Sequence, residues 1–339
     1  MLNNKSVLIT GGTGTLGKAL TKTIFERWPN IKRLVIFSRD EQKQYQMDQE
    51  YPHAKYPQIR FFIGDVRDEE RLVRALSGID YVIHAAAMKH VPIAEYNPTE
   101  CVKTNIGGAQ NVIEACLKTN VKGVVALSTD KACAPINLYG ATKLASDKLF
   151  VAANNFKGSN PIFFSVVRYG NVMGSNGSVI PFFIKKRKEG VIPITEPHMT
   201  RFNISVQEGV NMVLYALEHA LGGEIFVPRI PSYHIQDLAT AIAPNCEQRI
   251  IGIRPGEKVH EEMITRSDAF NTYDVGKYYV ILPQAQNWDL NEYISHFNAV
   301  KVPEGFHYSS DNNTQWETVE SLRNRIKQEI DPTFDPFGE

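Results

Sequence analysis

The sequence predicts an α/β protein with a Rossmann-type, doubly wound parallel sheet and a smaller mixed α/β C-terminal lobe. Three observations predict this fold. Short apolar runs alternate with helical stretches through the first half of the chain, which is the pattern of successive βα units. The runs are nearly continuous rather than alternating, as expected for strands covered on both faces. A glycine-rich turn follows the first run.

The predicted strands are runs rich in Val, Ile, Leu and Phe at 6–10, 33–38, 59–64, 81–84, 123–128 and 163–168. Amphipathic helices are predicted between them, for example at 101–119 and 140–155. After this point strands and helices alternate less regularly. The sequence predicts a helix at 205–220, a strand at 224–228 and short mixed elements to about 282. We therefore expect a dinucleotide-binding domain over 1–170, to which some later segments return, a ligand-binding lobe over 171–300, and a tail over 301–339 with a terminal helix.

Composition excludes several classes of protein. Of the 339 residues, 43% are hydrophobic and 22% are charged, so the chain is not disordered. Lysine plus arginine equals aspartate plus glutamate, 37 against 37, so no overall charge attracts nucleic acid or a membrane. No leader or membrane span is apparent. The cysteines lack metal or C-x-x-C spacing, which predicts reduced thiols, no metal site and a cytoplasmic location; they are Cys101, Cys116, Cys133 and Cys246.

The stretch "ITGGTGTLGKAL" (9–20) follows the first strand and opens the first helix. Gly12, Gly14 and Gly17 fit G-x-G-x-x-G, and Gly11, Gly14 and Gly17 fit the wider G-x-x-G-x-x-G. Glycine permits the tight turn and lets backbone N–H groups approach a pyrophosphate at the helix N-terminus. The residues predicted to contact the dinucleotide here are Gly11, Thr13, Gly14, Thr15, Leu16 and Gly17.

The partner of the adenine ribose is expected about 20 residues further on, at the end of the second strand. There Arg39 suits a 2′-phosphate, with Ser38 and Lys43 as further donors, whereas Asp40 alone would suit an unphosphorylated ribose. This set favours NADP over NAD. Later strand ends are expected to complete the cofactor site: Asp65 and Val66 beside the adenine, the small residues Ala85, Ala86 and Ala87 beside the cofactor, and Lys89 between cofactor and substrate.

Tyr139 and Lys143 are four residues apart at the start of a predicted helix and so share a face. A phenol has a pKa of about 10. A lysine ammonium about 4 Å away contributes about 4 kcal/mol at an effective dielectric of about 20, enough to lower the phenol pKa by about three. The pair therefore predicts proton transfer at an alcohol, with Thr129 orienting the substrate hydroxyl.

The glycine loop, the small residues after the fourth strand, Thr129 and Tyr139-x-x-x-Lys143 together resemble the extended short-chain dehydrogenases/reductases. That resemblance reaches from the first strand to at least "RPGEK" (254–258). It implies a tightly held NAD(P) and a nucleotide-activated sugar as substrate.

Asp130 and Lys131 exceed what ketone–alcohol exchange needs, but elimination of water across C5 and C6 of a hexose would use both. Oxidation at C4 acidifies the C5 proton, a base removes it, and an acid protonates the departing 6-hydroxyl. The sugar 4,6-dehydratase branch of the family carries Thr-Asp-Glu here, so Lys131 departs from its pattern. An ammonium must lose its proton to act as a base, and we expect a dry pocket beside a cation to favour that loss.

"STDKA" (128–132) followed by "NLYGATK" (137–143) resembles the UDP-N-acetylglucosamine 4,6-dehydratases that invert C5, more narrowly those that begin pseudaminic acid synthesis. Supporting stretches lie at 85–98, 104–116, 168–183, 194–205 and 251–263. A sister group has Met where Tyr139 stands. The resemblance implies Lys131 as the principal base and Asp130 as the acid, with Tyr139 acting either as the base at C4 or as a second group at C5.

The resemblance also implies a homo-oligomer and a UDP-sugar site in the 171–300 lobe. The expected substrate residues are Lys89, Asn171, Ile180, Thr195, Met199, Arg201, Arg254 and Glu257, with the arginines on phosphate and ribose. Rival hypotheses are a 4-epimerase, a dehydratase that retains C5 configuration, and a protein that senses NADP without catalysis.

Overall fold

The computed structural model describes residues 1–175 and 178–338. Asn176 and Gly177, inside one of the stretches that carry the resemblance, lie outside the described residues. The chain builds one large sheet, helices on both of its faces, and three two-stranded sheets. The predicted fold class is confirmed.

The large sheet has the strand order β15-β13-β14-β9-β6-β5-β4-β1-β2-β3. From β3 to β9 every neighbouring pair is parallel. These strands are β1 (Ser6–Thr10), β2 (Arg33–Ser38), β3 (Ile59–Ile63), β4 (Tyr81–His84), β5 (Gly123–Thr129), β6 (Phe163–Tyr169) and β9 (Ile225–Pro228). The other edge adds the antiparallel strands β13 (Thr272–Asp274), β14 (Tyr278–Ile281) and β15 (Val300–Lys301). These three strands were not predicted.

The small sheets lie outside the large one. They pair β7 (Val191–Ile194) with β11 (Glu247–Ile250), β8 (Thr200–Phe202) with β10 (Ser232–His234), and β12 (Glu262–Ile264) with β16 (Tyr308–Ser309). The helices are α1 (Thr15–Arg27), α2 (Glu41–Glu50), α3 (Glu69–Ala75), α4 (Val91–Tyr96), α5 (Pro98–Val102), α6 (Gly108–Leu117), α7 (Leu138–Phe156), α8 (Val179–Arg187), α9 (Val206–His219), α10 (Ile235–Ile242), α11 (Leu290–Phe297) and α12 (Val319–Glu329).

The helix predicted at 101–119 is present, but a π-helical turn at Lys103–Gly107, which was not predicted, divides it into α5 and α6. The wider turn places Asn105 in the interior. The Asn105 amide receives a hydrogen bond from the Met88 backbone N–H and donates one to Thr142 on α7 (2.8 and 3.0 Å). Apolar periodicity cannot reveal this wider turn, since both flanking pieces bury the same face.

Two large hydrophobic clusters and a small third one, formed by Ala94, Cys101 and Tyr139, organise the interior of the described residues. The largest one surrounds the large sheet and takes in residues from both before and after position 170, including α9 and β9. The second one joins α8, β7, α10 and α12, with Phe334 of the tail buried against it. The second cluster forms a smaller lobe beside the carboxyl ends of the parallel strands. In open α/β sheets that edge is where ligands bind.

Candidate active site

The glycine-rich turn forms a cradle between β1 and α1. Gly11 has a φ of +65°, and a Cβ there would lie 2.9 Å from the Ala86 backbone nitrogen. A Cβ on Gly17 would lie 2.3 Å from the Gly12 carbonyl oxygen. Both positions therefore require glycine, and the N-terminus of α1 is left open to a phosphate.

A cavity of about 640 Å³ opens above this cradle along the carboxyl ends of the parallel strands. The structure brings together every residue predicted to bind the cofactor as part of its lining: Gly11, Thr13, Gly14, Thr15, Leu16, Gly17, Ser38, Arg39, Asp40, Lys43, Asp65, Val66, Ala85, Ala86, Ala87, Lys89, Tyr139 and Lys143. Thr129, Lys131 and Asn171 line the same cavity. The cavity therefore spans the predicted cofactor and catalytic groups.

The two candidate ribose residues differ in what they already contact. The Asp40 carboxylate caps α2 by accepting a hydrogen bond from the Lys43 backbone N–H (2.9 Å) and pairs with the Lys43 ammonium (2.9 Å). Arg39 lies 3.6 Å from Asp65, with 58% of its side chain exposed. Arg39 thus faces the cavity mouth as a cation, while the Asp40 carboxylate is engaged by its own helix.

Asp130 and Lys131 lie in a 3₁₀ turn directly after β5. Gly140 lets α7 approach this turn, because a Cβ there would lie 2.1 Å from the Lys131 carbonyl oxygen. The Oδ1 of Asp130, which is buried, accepts hydrogen bonds from the Thr129 hydroxyl (2.9 Å) and the Lys131 ammonium (3.1 Å). Asp130 is not among the described residues that line the cavity, whereas its neighbours Thr129 and Lys131 are.

A carboxylate that the sequence reasoning missed completes this arrangement. Glu261, just before β12, is buried, and its Oε1 lies 3.3 Å from the Lys131 Nζ. Lys131 also donates to the Asn171 amide oxygen (3.1 Å). We call Asp130, Lys131, Asn171 and Glu261 the Lys131 cluster. The signal for Glu261 was weak: it stands in "KVHEEM", where one of two adjacent glutamates is buried and the sequence does not say which.

The charge state of Lys131 differs from the expected one. Burial alone would lower the pKa of Lys131, but the carboxylates of Asp130 and Glu261 outweigh burial and raise it above its ordinary value. The expectation that the pocket favours a neutral lysine is wrong, because two acidic side chains face the amine. Burial, assisted by the charge of Glu261, raises the pKa of Asp130.

Tyr139 also differs from expectation. Burial raises its pKa to about 12, against the opposing effects of Lys131 and the Thr129 hydroxyl. The largest positive charge acting against burial is that of Lys131. Because the pKa of Tyr139 lies above its ordinary value, the predicted lowering is wrong for the chain by itself.

Lys143 instead belongs to a second buried network that the sequence did not reveal. Asp147, one turn further along α7, accepts a hydrogen bond from the Ser128 hydroxyl (2.7 Å) and pairs with Arg168 (3.4 Å). Burial lowers the pKa of Lys143, and the charge of Asp147 opposes that lowering. Arg168 in turn donates to the Met263 carbonyl oxygen (3.0 Å). This network fixes α7 against β5 and β6.

The predicted substrate residues are spread over three places. Asn171 and Lys89 line the main cavity. Ile180 and Met199 are buried in the smaller lobe, and the Thr195 hydroxyl contacts the Met199 sulfur (3.5 Å). The third group comprises Arg201, Arg254 and Glu257.

The Arg201 guanidinium is engaged inside the protein. Its Nη1 donates to the carbonyl oxygens of Thr200 (2.7 Å) and Val259 (3.0 Å), and its Nε lies 3.8 Å from Glu261. Arg254 lies on an exposed turn. Its backbone N–H donates a hydrogen bond to the Glu257 carboxylate across this turn (3.3 Å). Glu257 lines a second, more open cavity of about 530 Å³. Of the two arginines predicted to bind the substrate, it is therefore Arg254 whose side chain is exposed and can contact a ligand.

Neither a bilayer-spanning helix nor a metal-binding group emerges from residues 1–175 and 178–338. No helix there is long and apolar enough to cross a membrane, and no set of His, Cys, Asp or Glu side chains could hold a metal ion. The four cysteines are free thiols.

Comparison with known proteins gives consistent matches. The sequence profile of the polysaccharide biosynthesis protein family matches residues 7–283. The chain is 56% identical over 330 residues to a Campylobacter jejuni protein named UDP-N-acetylglucosamine 4,6-dehydratase (inverting), covering 95% of this chain and 97% of that one. It is 42% identical over 288 residues to a Rickettsia canadensis protein named UDP-glucose 4-epimerase, covering 83% and 84%. The X-ray structure of Pen from Bacillus thuringiensis superposes with a TM-score of 0.87 at 38% identity, covering 97% and 98%.

Proposed function

The chain belongs to the family of polysaccharide biosynthesis proteins, and we propose that it is a UDP-N-acetylglucosamine 4,6-dehydratase that inverts C5. The observation that carries this proposal is the Asp130–Lys131 pair after β5, in which Asp130 is buried and Lys131 is partly exposed to the cofactor cavity that Tyr139 also lines. Exchange between alcohol and ketone needs one proton-transfer group, whereas elimination of water needs an acid and a base. The name and 56% identity of the Campylobacter relative support the same reaction.

The proposed cofactor is NADP, held tightly and regenerated in each cycle. The backbone approach at Gly11 and Gly17 suits a pyrophosphate on the N-terminus of α1. Arg39 would bind the 2′-phosphate, since Asp40 is already engaged with Lys43. When bound, the nicotinamide would supply reversible oxidation, taking a hydride from sugar C4 and later returning it to C6.

The chain's own residues would move the protons. Overall the sugar loses one water: the C4 hydroxyl gives up its proton, C5 loses a proton and regains one on the opposite face, and the 6-hydroxyl leaves with a proton. Tyr139 and Thr129 face the C4 hydroxyl in this proposal. Because Lys131 is an ammonium in the chain by itself, it must pass a proton to a neighbour before it can remove the C5 proton. Tyr139 is the other candidate for that step.

Asp130 would act from behind the cavity wall. Its carboxyl group contacts the Thr129 hydroxyl (2.9 Å) and the Lys131 ammonium (3.1 Å), both of which line the cavity. A proton from Asp130 would therefore reach the departing 6-hydroxyl through one of these two groups. For the UDP moiety we propose contacts from Asn171, Arg254 and Glu257, with Ile180, Thr195, Met199 and Arg201 shaping the lobe around it.

The product would be UDP-2-acetamido-2,6-dideoxy-β-L-arabino-hex-4-ulose, the first intermediate toward pseudaminic acid. The test is to incubate the purified protein with UDP-N-acetylglucosamine in D₂O, without added cofactor, and follow the reaction by NMR. We expect a 4-keto-6-deoxy sugar with deuterium at C5 and inverted C5 configuration. Retained configuration would overturn the inversion, and a change at C4 alone would favour the 4-epimerase named in the Rickettsia relative.

Two further predictions accompany this function. We propose a homo-oligomer, which sedimentation analysis of the purified protein tests. A cytoplasmic location stays a prediction and is tested by cell fractionation.

A further inference from the structure

The ammonium of Lys131 donates hydrogen bonds to two oxygens and forms an ion pair with a third. Asp130 Oδ1 and Asn171 Oδ1 each lie 3.1 Å from Nζ, and Glu261 Oε1 lies 3.3 Å from it. A lysine ammonium carries three donors and no acceptor. A neutral amine would point its lone pair at one of these oxygens. The geometry therefore fits a protonated Lys131.

Asp130 and Glu261 compete for this one ammonium. Two carboxyl groups that share a site do not ionise equally, and the one with the better charge partners takes the negative charge. Glu261 has a second cation, since Arg201 Nε lies 3.8 Å from the same oxygen that faces Lys131. Asp130 has the neutral Thr129 hydroxyl instead. Among the described residues, Asp130 Oδ2 and Glu261 Oε2 are both buried without a hydrogen-bond partner, so the difference between the two groups lies in the second cation.

We propose that Glu261 is a positioning residue that sets the charge state of the Asp130–Lys131 pair: as the carboxylate beside Lys131 in the resting protein, it leaves Asp130 carrying a proton. This inference rests on the proposed function and deepens it, because it names the group that keeps the acid of the elimination loaded. Neither the glycine loop nor the Tyr139–Lys143 motif contains a carboxylate that could supply the negative charge of Glu261.

The groups around the pair agree with this assignment. Burial would raise the pKa of Glu261, but Lys131, Arg201 and Lys258 outweigh it and lower that pKa. Burial and the Glu261 charge raise the pKa of Asp130. The titratable and charged side chains that face the two carboxyl groups are Lys131 on the turn after β5, Tyr139 on α7, Arg201 on β8, Tyr233 on β10 and Lys258 before β12. Both tyrosines are neutral at pH 7, since burial raises each pKa to about 12.

Removing the charge of Glu261 while keeping its shape should transfer the negative charge to Asp130. Infrared difference spectra at pH 7 between the wild-type protein and Asp130→Asn, both carrying their cofactor, should show the carbonyl band of a protonated, buried carboxyl group. In a Glu261→Gln background the same difference should lose this band. Glu261→Asp, which keeps the charge, should retain it. A wild-type protein without the band, or a Glu261→Gln protein that still shows it, would overturn the inference.

Kinetics give a second readout that a purely structural role would not move. In Glu261→Gln the alkaline limb of the kcat–pH profile should shift to lower pH by about one unit, which corresponds to about a tenfold loss of kcat above that limb. The matched control is Glu262→Gln, the adjacent half-buried glutamate, which should keep the wild-type limb. An equal loss of kcat at every pH, with the limb unmoved, would mean that Glu261 only supports the fold and would contradict the inference.

The two proposals fail separately. A wild-type protein that shows the infrared band but forms no 4-keto-6-deoxy sugar would end the proposed function and leave the charge assignment standing. A wild-type protein that dehydrates the sugar but lacks the infrared band would support the proposed function and contradict the charge assignment.

Discussion

The cofactor cradle and the Lys131 cluster lie at the same edge of the sheet but are built in opposite ways. The cradle uses backbone groups and missing side chains from one continuous stretch, Gly11–Gly17. The cluster uses polar and charged side chains from three separate segments, contributed by Asp130 and Lys131, by Asn171 and by Glu261. A backbone cradle is fixed by local geometry, whereas the charges in the cluster depend on which distant segment packs against which. The two regions should therefore respond differently to substitution.

The substitution Lys131→Ala should distinguish the two regions most clearly, because it changes the Lys131 cluster and leaves the cofactor cradle intact. We expect kcat for dehydration to fall about 10²–10⁴-fold, the range contributed by one acid–base group. The protein should still purify with its cofactor, because the cradle lies outside the cluster. The measurement pairs product formation by NMR with the absorbance of bound cofactor. Loss of the cofactor together with activity would show that the two regions are not independent.

Asp147→Asn tests whether a second buried charge network supports both regions. The substitution keeps the shape that accepts the Ser128 hydroxyl but removes the buried carboxylate from Arg168, which retains the partly exposed Asp268 at 3.5 Å. Removing one partner of a buried ion pair costs about 3–5 kcal/mol of unfolding free energy, measurable by urea denaturation. The control is Lys122→Ala, which removes a surface partner of Asp80 and should cost less than about 1 kcal/mol. Similar costs for both variants would contradict the role of the network.

The titration of His84 should make the unfolding free energy depend on pH, and His84 lies on the cradle side of the sheet. It is buried at the end of β4, its Nδ1 lies 2.8 Å from the Thr10 hydroxyl, and burial, with Lys143 adding to it, lowers its pKa to about 3. The unfolded chain takes up this proton at about pH 6.5 and the folded chain does not. The stability from neutral His84 is thus present above pH 6.5 and falls as pH drops, by about 3 kcal/mol at pH 4.

The measurement compares unfolding free energies at pH 7 and pH 4 for the wild-type protein and His84→Gln, which cannot titrate. The variant should lose about 3 kcal/mol less than the wild-type protein between these pH values. Equal losses would show that His84 does not set the acid sensitivity of this side of the sheet.

Arg39→Ala gives the smallest expected effect and sharpens the cofactor assignment. Hydrogen bonds to a charged group are worth about 1.5–3 kcal/mol, so NADP binding to cofactor-stripped protein should weaken about 10–100-fold. Binding of NAD, which lacks the 2′-phosphate, should stay within a few-fold of its wild-type value. Calorimetry with both nucleotides decides this, and equal weakening of the two would remove Arg39 as the 2′-phosphate partner.

The cradle shows how far sequence reasoning reaches. Gly11, Gly14 and Gly17 stand at fixed spacing after an apolar run, and the constraint that selects them acts between residues a few positions apart. The parallel strands could also be predicted from local sequence, because a run of consecutive apolar residues indicates a strand that is buried on both faces. The antiparallel strands β13, β14 and β15 were missed because they are short, and their attachment to the large sheet depends on β9, about 50 residues before β14 in the chain.

The sequence by itself determined the fold class, the dinucleotide cradle and the identities of Asp130, Lys131, Tyr139 and Lys143 as candidates for chemistry. The tertiary structure alone decided their charges. It places Glu261, 130 residues after Lys131, against that ammonium. The physical reason is that a pKa depends on burial and on charges within a few ångströms, and those neighbours come together only when distant segments fold against one another.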